Sequence, residues 1–330
     1  MTLRPPISAG TVPRITILDG VTLNPGDNPW DELGKLGKLT IHDRTPASEV
    51  IARSTDADVL VINKVRLARE TLAHLPQLKL VTVTATGHDC VDSAAAKELG
   101  ITVCNVPEYG TDSVAQHTFA LLLHLCHHVD LHDRAVHAGK WQQRGDFSFW
   151  ERPLIALAGK TLGIVGWGRI GRQMAEIGRA YGMHVQAYTR TRKNPPPFRE
   201  FGWSESLQDL VSQSDVVSLH CPLTDATRGM INAGTLQYFR PGSFLLNTSR
   251  GALVVEQDLA DALRDGKLSA AAVDVVSQEP ITDNNPLLTA PNCVITPHQA
   301  WATLLARQRL MQTTVNNVRD FLAGNPVHTV

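Results

Sequence analysis

From one end of the chain to the other, short runs of apolar and β-branched residues alternate with longer stretches whose apolar residues recur at helical spacing. That alternation is the sequence signature of parallel sheets with crossover helices. Two series of runs stand out. The first holds ITILD (15–19), LTIHD (39–43), VLVIN (59–63), LVTVTA (80–85) and ITVCN (101–105). The second holds TLGIV (161–165), HVQAY (184–188), VVSLH (216–220), SFLLN (243–247), AAVDV (271–275) and CVITP (293–297). Between them the pattern predicts one long helix from about Asp112 to His137, with Thr111, Asp112 and Ser113 as capping side chains. After the last run, ATLLARQRLMQTTVNNVRDFLAG is again helical and stops at Gly324, with Pro326 beyond. The expected fold is α/β with two doubly wound parallel-sheet domains. One covers residues 1–111 and is completed by a C-terminal helix over 301–330; the other covers 112–300.

Composition narrows the function classes. The 330 residues suffice for about two domains with cores of their own. Lys and Arg number 31 against 32 Asp and Glu, so a net charge of −1 supplies no field to gather nucleic acid or anionic lipid. The longest apolar runs, such as Phe119 to Leu123, fall far short of the roughly 18 residues that span a bilayer. The opening MTLRPPISAGTVPR lacks the apolar core of a signal peptide, which points to a soluble, cytoplasmic protein. Cys90, Cys104, Cys126, Cys221 and Cys293 are odd in number and include no CxxC pair, so reduced thiols are expected rather than disulfides or a zinc site.

The first chemical signal is Gly166-x-Gly168-x-x-Gly171, set between a predicted strand and a predicted helix. In the Rossmann dinucleotide-binding turn the first glycine makes the bend, the second lets the pyrophosphate approach the backbone, and the third lets helix and strand pack closely. The second domain is therefore expected to bind a dinucleotide. At the end of its second strand, where an acid commonly holds the ribose hydroxyls, stands Thr189, followed by Arg190, Arg192 and Lys193. Arginines attract a 2′-phosphate that an acid would repel, so NADP(H) is favoured, with Arg190 and Arg192 as the clamp. A solvated basic loop beside a site that accepts NAD(H) is the alternative.

Ligands of a doubly wound sheet bind beyond the carboxyl ends of its strands. Those ends deliver, in order, Gly166, Thr189 with Arg190, Cys221 with Pro222, the NTSRG turn (247–251), Asp274, and Pro297 with His298. Arg250 can grip a carboxylate with two parallel hydrogen bonds. His298 can exchange a proton with a carbonyl oxygen. Glu279, in SQEP, is the candidate to orient the imidazole from its far nitrogen. Taken singly, each has an ordinary reading as an ion pair, a loop charge or a satisfied polar residue; together at successive strand ends they point to catalysis.

The stretches GWGRIGRQMA, HCPLTDATRGMI, NTSRGALVVEQDL, AAVDVVSQEP and ITPHQAWAT resemble the successive motifs of the D-isomer-specific 2-hydroxyacid dehydrogenases. LDGVTLNPGD, INK, ATGHDCVD and DSVAQHTFALLLHLCHHV extend the resemblance through the first domain, within the glycerate dehydrogenase and hydroxypyruvate reductase branch. It implies an active site in the cleft between two domains and reduction of a short 2-oxo acid. Arg250 would then bind the substrate carboxylate, His298 would act as acid/base and Glu279 would orient it. Asp274 would receive the nicotinamide carboxamide. Lys64, Ala85, Thr86 and Gly87 would close over the substrate, with Trp301 beside the acid. Thr118, Arg169, Ile170, His220, Cys221, Pro222, Thr227, Thr248, Ser249 and Ala300 would line the cofactor groove.

Gln299 stands where an apolar residue is common in the family, which bears on substrate preference. Trp141 and Trp150 are expected to fill cores, the alternative being that they reach a partner subunit of a homodimer. His124, His128 and His132, spaced by four, would share a helix face, but no Cys or acidic ligand accompanies them and no metal is expected. The rival functions are a dinucleotide-sensing corepressor of the same fold and a formate or phosphite dehydrogenase; glutamine is expected in place of Glu279 in the formate enzyme.

Overall fold

The computed structural model describes residues 10–330. The chain divides into two compact units: residues up to Gly110 together with Ala302–Val330, and Thr111–Trp301.

In the first unit five strands, β1 (Arg14–Ile17), β2 (Lys38–Ile41), β3 (Val59–Ile62), β4 (Leu80–Val83) and β5 (Thr102–Cys104), form a sheet in the order β2-β1-β3-β4-β5. Every pairing is parallel. VLVI and LVTV are buried at every position, as expected for inner strands covered on both faces, whereas edge strand β2 has no fully buried residue. The helix Leu304–Leu322 packs against β4. Its buried Arg307 donates to Asp27 Oδ2 at 2.7 Å, and Asn317 Nδ2 donates to the Asn105 carbonyl at 2.8 Å.

The second unit holds β6 (Thr161–Val165), β7 (His184–Tyr188), β8 (Phe201–Trp203), β9 (Val216–Leu219), β10 (Phe244–Asn247), β11 (Ala270–Val273) and β12 (Cys293–Ile295). They form one parallel sheet in the order β12-β11-β10-β9-β6-β7-β8. The winding reverses between β6 and β9, which is where a doubly wound sheet opens a ligand crevice. Each of the eleven expected runs holds a strand, and β8 is an addition. Its three residues, FGW, are too few to show a period, and what holds them is packing: the Trp167 ring lies 4.8 Å from that of Phe201 and 5.4 Å from that of Trp203.

The long helix expected over Asp112–His137 is two helices, Thr111–His127 and Val129–His137, broken at His128 with φ +47°. The Cys126 carbonyl accepts from Ile155 N at 3.0 Å, so it does not continue the helical ladder. This break removes the shared face assumed for His124, His128 and His132. His132 spends both ring nitrogens on backbone, Nδ1 on the His128 carbonyl (2.9 Å) and Nε2 accepting from Glu151 N (3.0 Å). Among the described residues no three His, Cys, Asp or Glu side chains gather as a metal-binding group, and no helix is long and apolar enough to cross a membrane.

Candidate active site

At the end of β6 the chain turns through Gly166, at φ +100°, whose N–H donates to the Tyr188 carbonyl at 2.9 Å. A Cβ there would sit 2.6 Å from the His220 carbonyl oxygen, so backbone contact as well as dihedral demands glycine. Gly168 precedes the helix Arg169–Ala180, which no side chain caps, and a Cβ on Gly168 would meet nothing within 4 Å. The first turn, with exposed Arg169 and half-buried Ile170, thus opens onto space beside Gly168. At Gly171 a Cβ would lie 2.2 Å from the Gly166 carbonyl oxygen, which locks helix to turn. These features fit a dinucleotide pyrophosphate.

Beyond β7, Thr189 is half-buried and Arg190 exposed. The structure does not offer Arg192 as a free cation. It forks onto Glu205, with NH1 to Oε1 at 3.0 Å and NH2 to Oε2 at 2.7 Å, and NH2 also donates to the Ser204 carbonyl. The two-arginine clamp expected from the sequence therefore has one arm engaged elsewhere.

At the end of β9, the His220 N–H donates to the Val165 carbonyl and Nε2 bonds Ser218 Oγ at 2.7 Å. Burial pushes this imidazole down to about 3, so it stays neutral and is not the proton carrier. Ser249 Oγ donates to the Cys221 carbonyl at 2.7 Å, Thr227 Oγ1 to the Pro222 carbonyl at 2.8 Å, and the hydroxyls of Thr118 and Thr248 meet at 2.7 Å. Asn247 Nδ2 donates to the Arg250 carbonyl at 2.9 Å while its Oδ1 accepts from Ser249 N at 3.1 Å, fixing the turn that carries Arg250. A Cβ on Gly251 would fall 1.9 Å from the Val276 carbonyl carbon, so only glycine lets this turn press against the loop leading to Glu279. Half-buried Arg250 donates through NH1 to the Ser249 carbonyl and has no acidic partner among the described residues. An arginine structured by its backbone but left without a counter-ion suits an incoming carboxylate.

Buried Asp274 organises the next turn. Its Oδ1 accepts from Thr296 Oγ1 (2.6 Å) and Gln299 N (2.9 Å), and its Oδ2 from Ala300 N (2.8 Å). His117 Nε2 lies 3.5 Å from Oδ1 and 3.1 Å from Thr296 Oγ1. Burial raises the pKa of this carboxyl, but hydrogen bonds from His117, Thr296, Ala300 and Gln299 overcome it and leave the pKa lowered. These contacts hold the carboxylate ionised and tie the turn that follows β12 to it. The Asp274 carbonyl accepts from His298 N at 2.8 Å, and His298 itself sits at φ +51°. A non-glycine residue held there costs about 1–3 kcal/mol and persists only where its surroundings enforce it. The enforced conformation presents Nδ1 to Glu279 Oε2 at 2.6 Å, while Glu279 Oε1 accepts from Val276 N. No partner takes Nε2 among the described residues, and the side chain is 28% exposed. Trp301 Nε1 donates to the His298 carbonyl at 2.9 Å. An oriented imidazole, an unpaired guanidinium and a glycine turn thus line the carboxyl edge of one sheet.

Comparison with known proteins decides the family. Residues 119–300 match the family model described as D-isomer specific 2-hydroxyacid dehydrogenase, NAD binding domain. A hydroxypyruvate reductase from Blautia hydrogenotrophica is 49% identical over 320 residues, 96% of this chain and 99% of that one. This chain belongs to the D-isomer specific 2-hydroxyacid dehydrogenase family. A glycerate dehydrogenase of the family from Methylorubrum extorquens is 40% identical over 86% of this chain and 88% of its own length. Among solved structures, an NADPH-dependent glyoxylate/hydroxypyruvate reductase from Sinorhizobium meliloti, in complex with NADP and malonate, aligns with TM-score 0.82 and 28% identity over 97% of each chain. The family's NAD(P)-binding domain is the unit that carries the glycine turn.

Within the first unit of this 2-hydroxyacid dehydrogenase family member, Lys64 follows β3 and the Ala85–Gly87 turn follows β4, both at carboxyl ends. Asp19, which sequence reasoning did not single out, receives the N–H groups of Asn63 (2.8 Å), Lys64 (2.6 Å) and Val65 (3.2 Å) and so shapes the backbone that presents Lys64. Its position as the last residue of the ITILD run was the available signal. Trp141 and Trp150 do not fill cores: they are 46% and 62% exposed and line a surface pocket with Val129 and Leu154.

Proposed function

We propose that the chain reduces a short 2-oxo acid, hydroxypyruvate or glyoxylate, to the D-2-hydroxy acid, using NADP(H) in preference to NAD(H). The observation that carries the reading is the 2.6 Å contact between His298 Nδ1 and Glu279 Oε2, which leaves Nε2 open on the rim that also carries Arg250. The names of the relatives, hydroxypyruvate reductase and glycerate dehydrogenase, support the substrate class.

Arg250 binds the substrate carboxylate and polarises the 2-oxo group, offsetting negative charge as it gathers on oxygen. Glu279 steadies the His298 imidazolium through Nδ1, and Nε2 of that ring gives the oxygen its proton, leaving a neutral imidazole. A bound reduced nicotinamide supplies the hydride. Asp274 holds the His298 turn and stands where the cofactor's carboxamide would meet it. From the first unit, Lys64 and the Ala85–Gly87 backbone contact substrate. The NADP(H) preference rests on Thr189 in place of an acid and on exposed Arg190. The chain is further proposed to be a homodimer, formed through the exposed apolar residues between Val129 and Leu154.

A matrix of kcat/KM for hydroxypyruvate, glyoxylate, formate and phosphite against NADPH and NADH tests this. The expected result is turnover of the first two substrates, faster with NADPH. Dinucleotide binding without turnover of any 2-oxo acid would instead identify a dinucleotide-sensing binding protein, and turnover of formate or phosphite alone would reassign the chemistry.

A further inference from the structure

The acid absent from the end of β7 has a counterpart one strand away. The β7–β8 register pairs Ala187 with Trp203, and Ser204 N donates to the Ala187 carbonyl at 2.9 Å. Past the ends of the two strands follow Thr189, next after β7, and Glu205, two residues after β8. The segment that leaves β8 thus brings a carboxylate to the basic loop that leaves β7. It does not stand idle there: Glu205 holds both terminal nitrogens of Arg192, and its own backbone is tied down by a 3.0 Å bond from Glu205 N to Asp209 Oδ2.

We propose that Glu205 sets the balance between NADP(H) and NAD(H) in this chain by competing with a 2′-phosphate for the Arg192 guanidinium. The inference rests on the dinucleotide-binding part of the function proposed above. Arg192 serves a phosphate only by leaving Glu205, and the carboxylate left behind repels the group that displaced it. Both effects weigh against NADP(H), while Arg190, which has no such partner among the described residues, weighs for it. The outcome is a moderated preference rather than an absolute one. With side-chain exposures of 40% for Arg192 and 80% for Glu205, the pair is solvent-screened and can open readily.

Calorimetric titration of the full chain with NADP+ and with NAD+, in the absence of substrate, tests the proposal. Glu205→Gln keeps the shape but removes the charge, and is expected to move the ratio of the two dissociation constants toward NADP+ by roughly three- to tenfold. In the double variant Glu205→Gln/Arg192→Gln that gain disappears, because the guanidinium being released is gone. An unchanged ratio in Glu205→Gln overturns the proposal. So does a gain that survives in the double variant, since simple loss of negative charge would then suffice. Failure to turn over hydroxypyruvate or glyoxylate would sink the catalytic reading and leave this ratio measurable; failure to bind either dinucleotide would sink both.

Discussion

Arg250 owes its usefulness to neighbours that hold its backbone and leave its charge alone. Asn247 fixes the turn, Gly251 lets it lie against Val276, and no acid pairs with the guanidinium among the described residues. Arg250→Ala is therefore expected to lower kcat/KM for hydroxypyruvate by about 10²- to 10³-fold. Arg250→Lys should recover only a minor part, because an ammonium cannot reproduce the planar fork. Near-normal turnover in the alanine variant would remove Arg250 from the mechanism. Asp274 makes a second prediction. Its folded pKa lies below the ordinary 3.8, so the stability it contributes is complete above that value and is lost as pH falls through the lowered one. Asp274→Asn should cost about 1–3 kcal/mol near neutral pH, because an amide cannot accept all the bonds the carboxylate accepts. Urea melts of both proteins at pH 7 and near pH 3 check this: the gap should narrow in acid, and a constant gap would contradict it. Arg250, Asp274 and His298 were legible because they stand at strand ends. Asp19 and Asn247 also close β-runs, but they act through backbone N–H and carbonyl groups that no residue pattern displays, and Glu205 pairs with an arginine in a separate loop.

Among the elements, the glycine turn separates folding from binding within three residues. Gly166→Ala would need a side chain at φ +100° and a Cβ 2.6 Å from the His220 carbonyl oxygen, so a Tm drop of several degrees is expected. Gly168→Ala meets no such obstacle, its backbone being extended and its surroundings open. Its Tm should hold while dinucleotide affinity falls about tenfold or more, since the added methyl occupies room meant for phosphate. If calorimetry shows unchanged affinity in Gly168→Ala, the pyrophosphate does not lie there. The turn could be read from sequence because steric demand restricts its residues. The break at His128 could not, because histidine carries no helix-stop signal and the competing bond comes from distant Ile155. Nor could β8, whose FGW is fixed by its aromatic neighbours rather than by any repeat.

For the whole molecule, the exposed apolar residues between Val129 and Leu154 argue for assembly, and Phe147 at 94% and Trp150 at 62% exposure dominate them. On the proposed dimer, the parent is expected to sediment as a dimer at micromolar concentration and the double variant Phe147→Ser/Trp150→Ser as a monomer. Identical sedimentation of the two would place the interface elsewhere. The two-unit α/β architecture was legible because alternating runs recur through both sheets; an exposed patch is a property of the folded surface and has no period to read.

The first unit draws its last helix from beyond the second. β4 packs on Leu304–Leu322, and Val330 N bonds the Val103 carbonyl at 3.1 Å, yet Thr111–Trp301 intervenes. On the ribosome, at about 5–20 residues per second, the earlier strands therefore wait on the order of 10–40 s for their covering helix. That interval is the synthesis of the inserted unit itself, and throughout it the apolar strands of the first stay open to chaperones or to unwanted neighbours. Translation order alone thus completes the chain of the nucleotide-binding half first and leaves the other half the more vulnerable during synthesis.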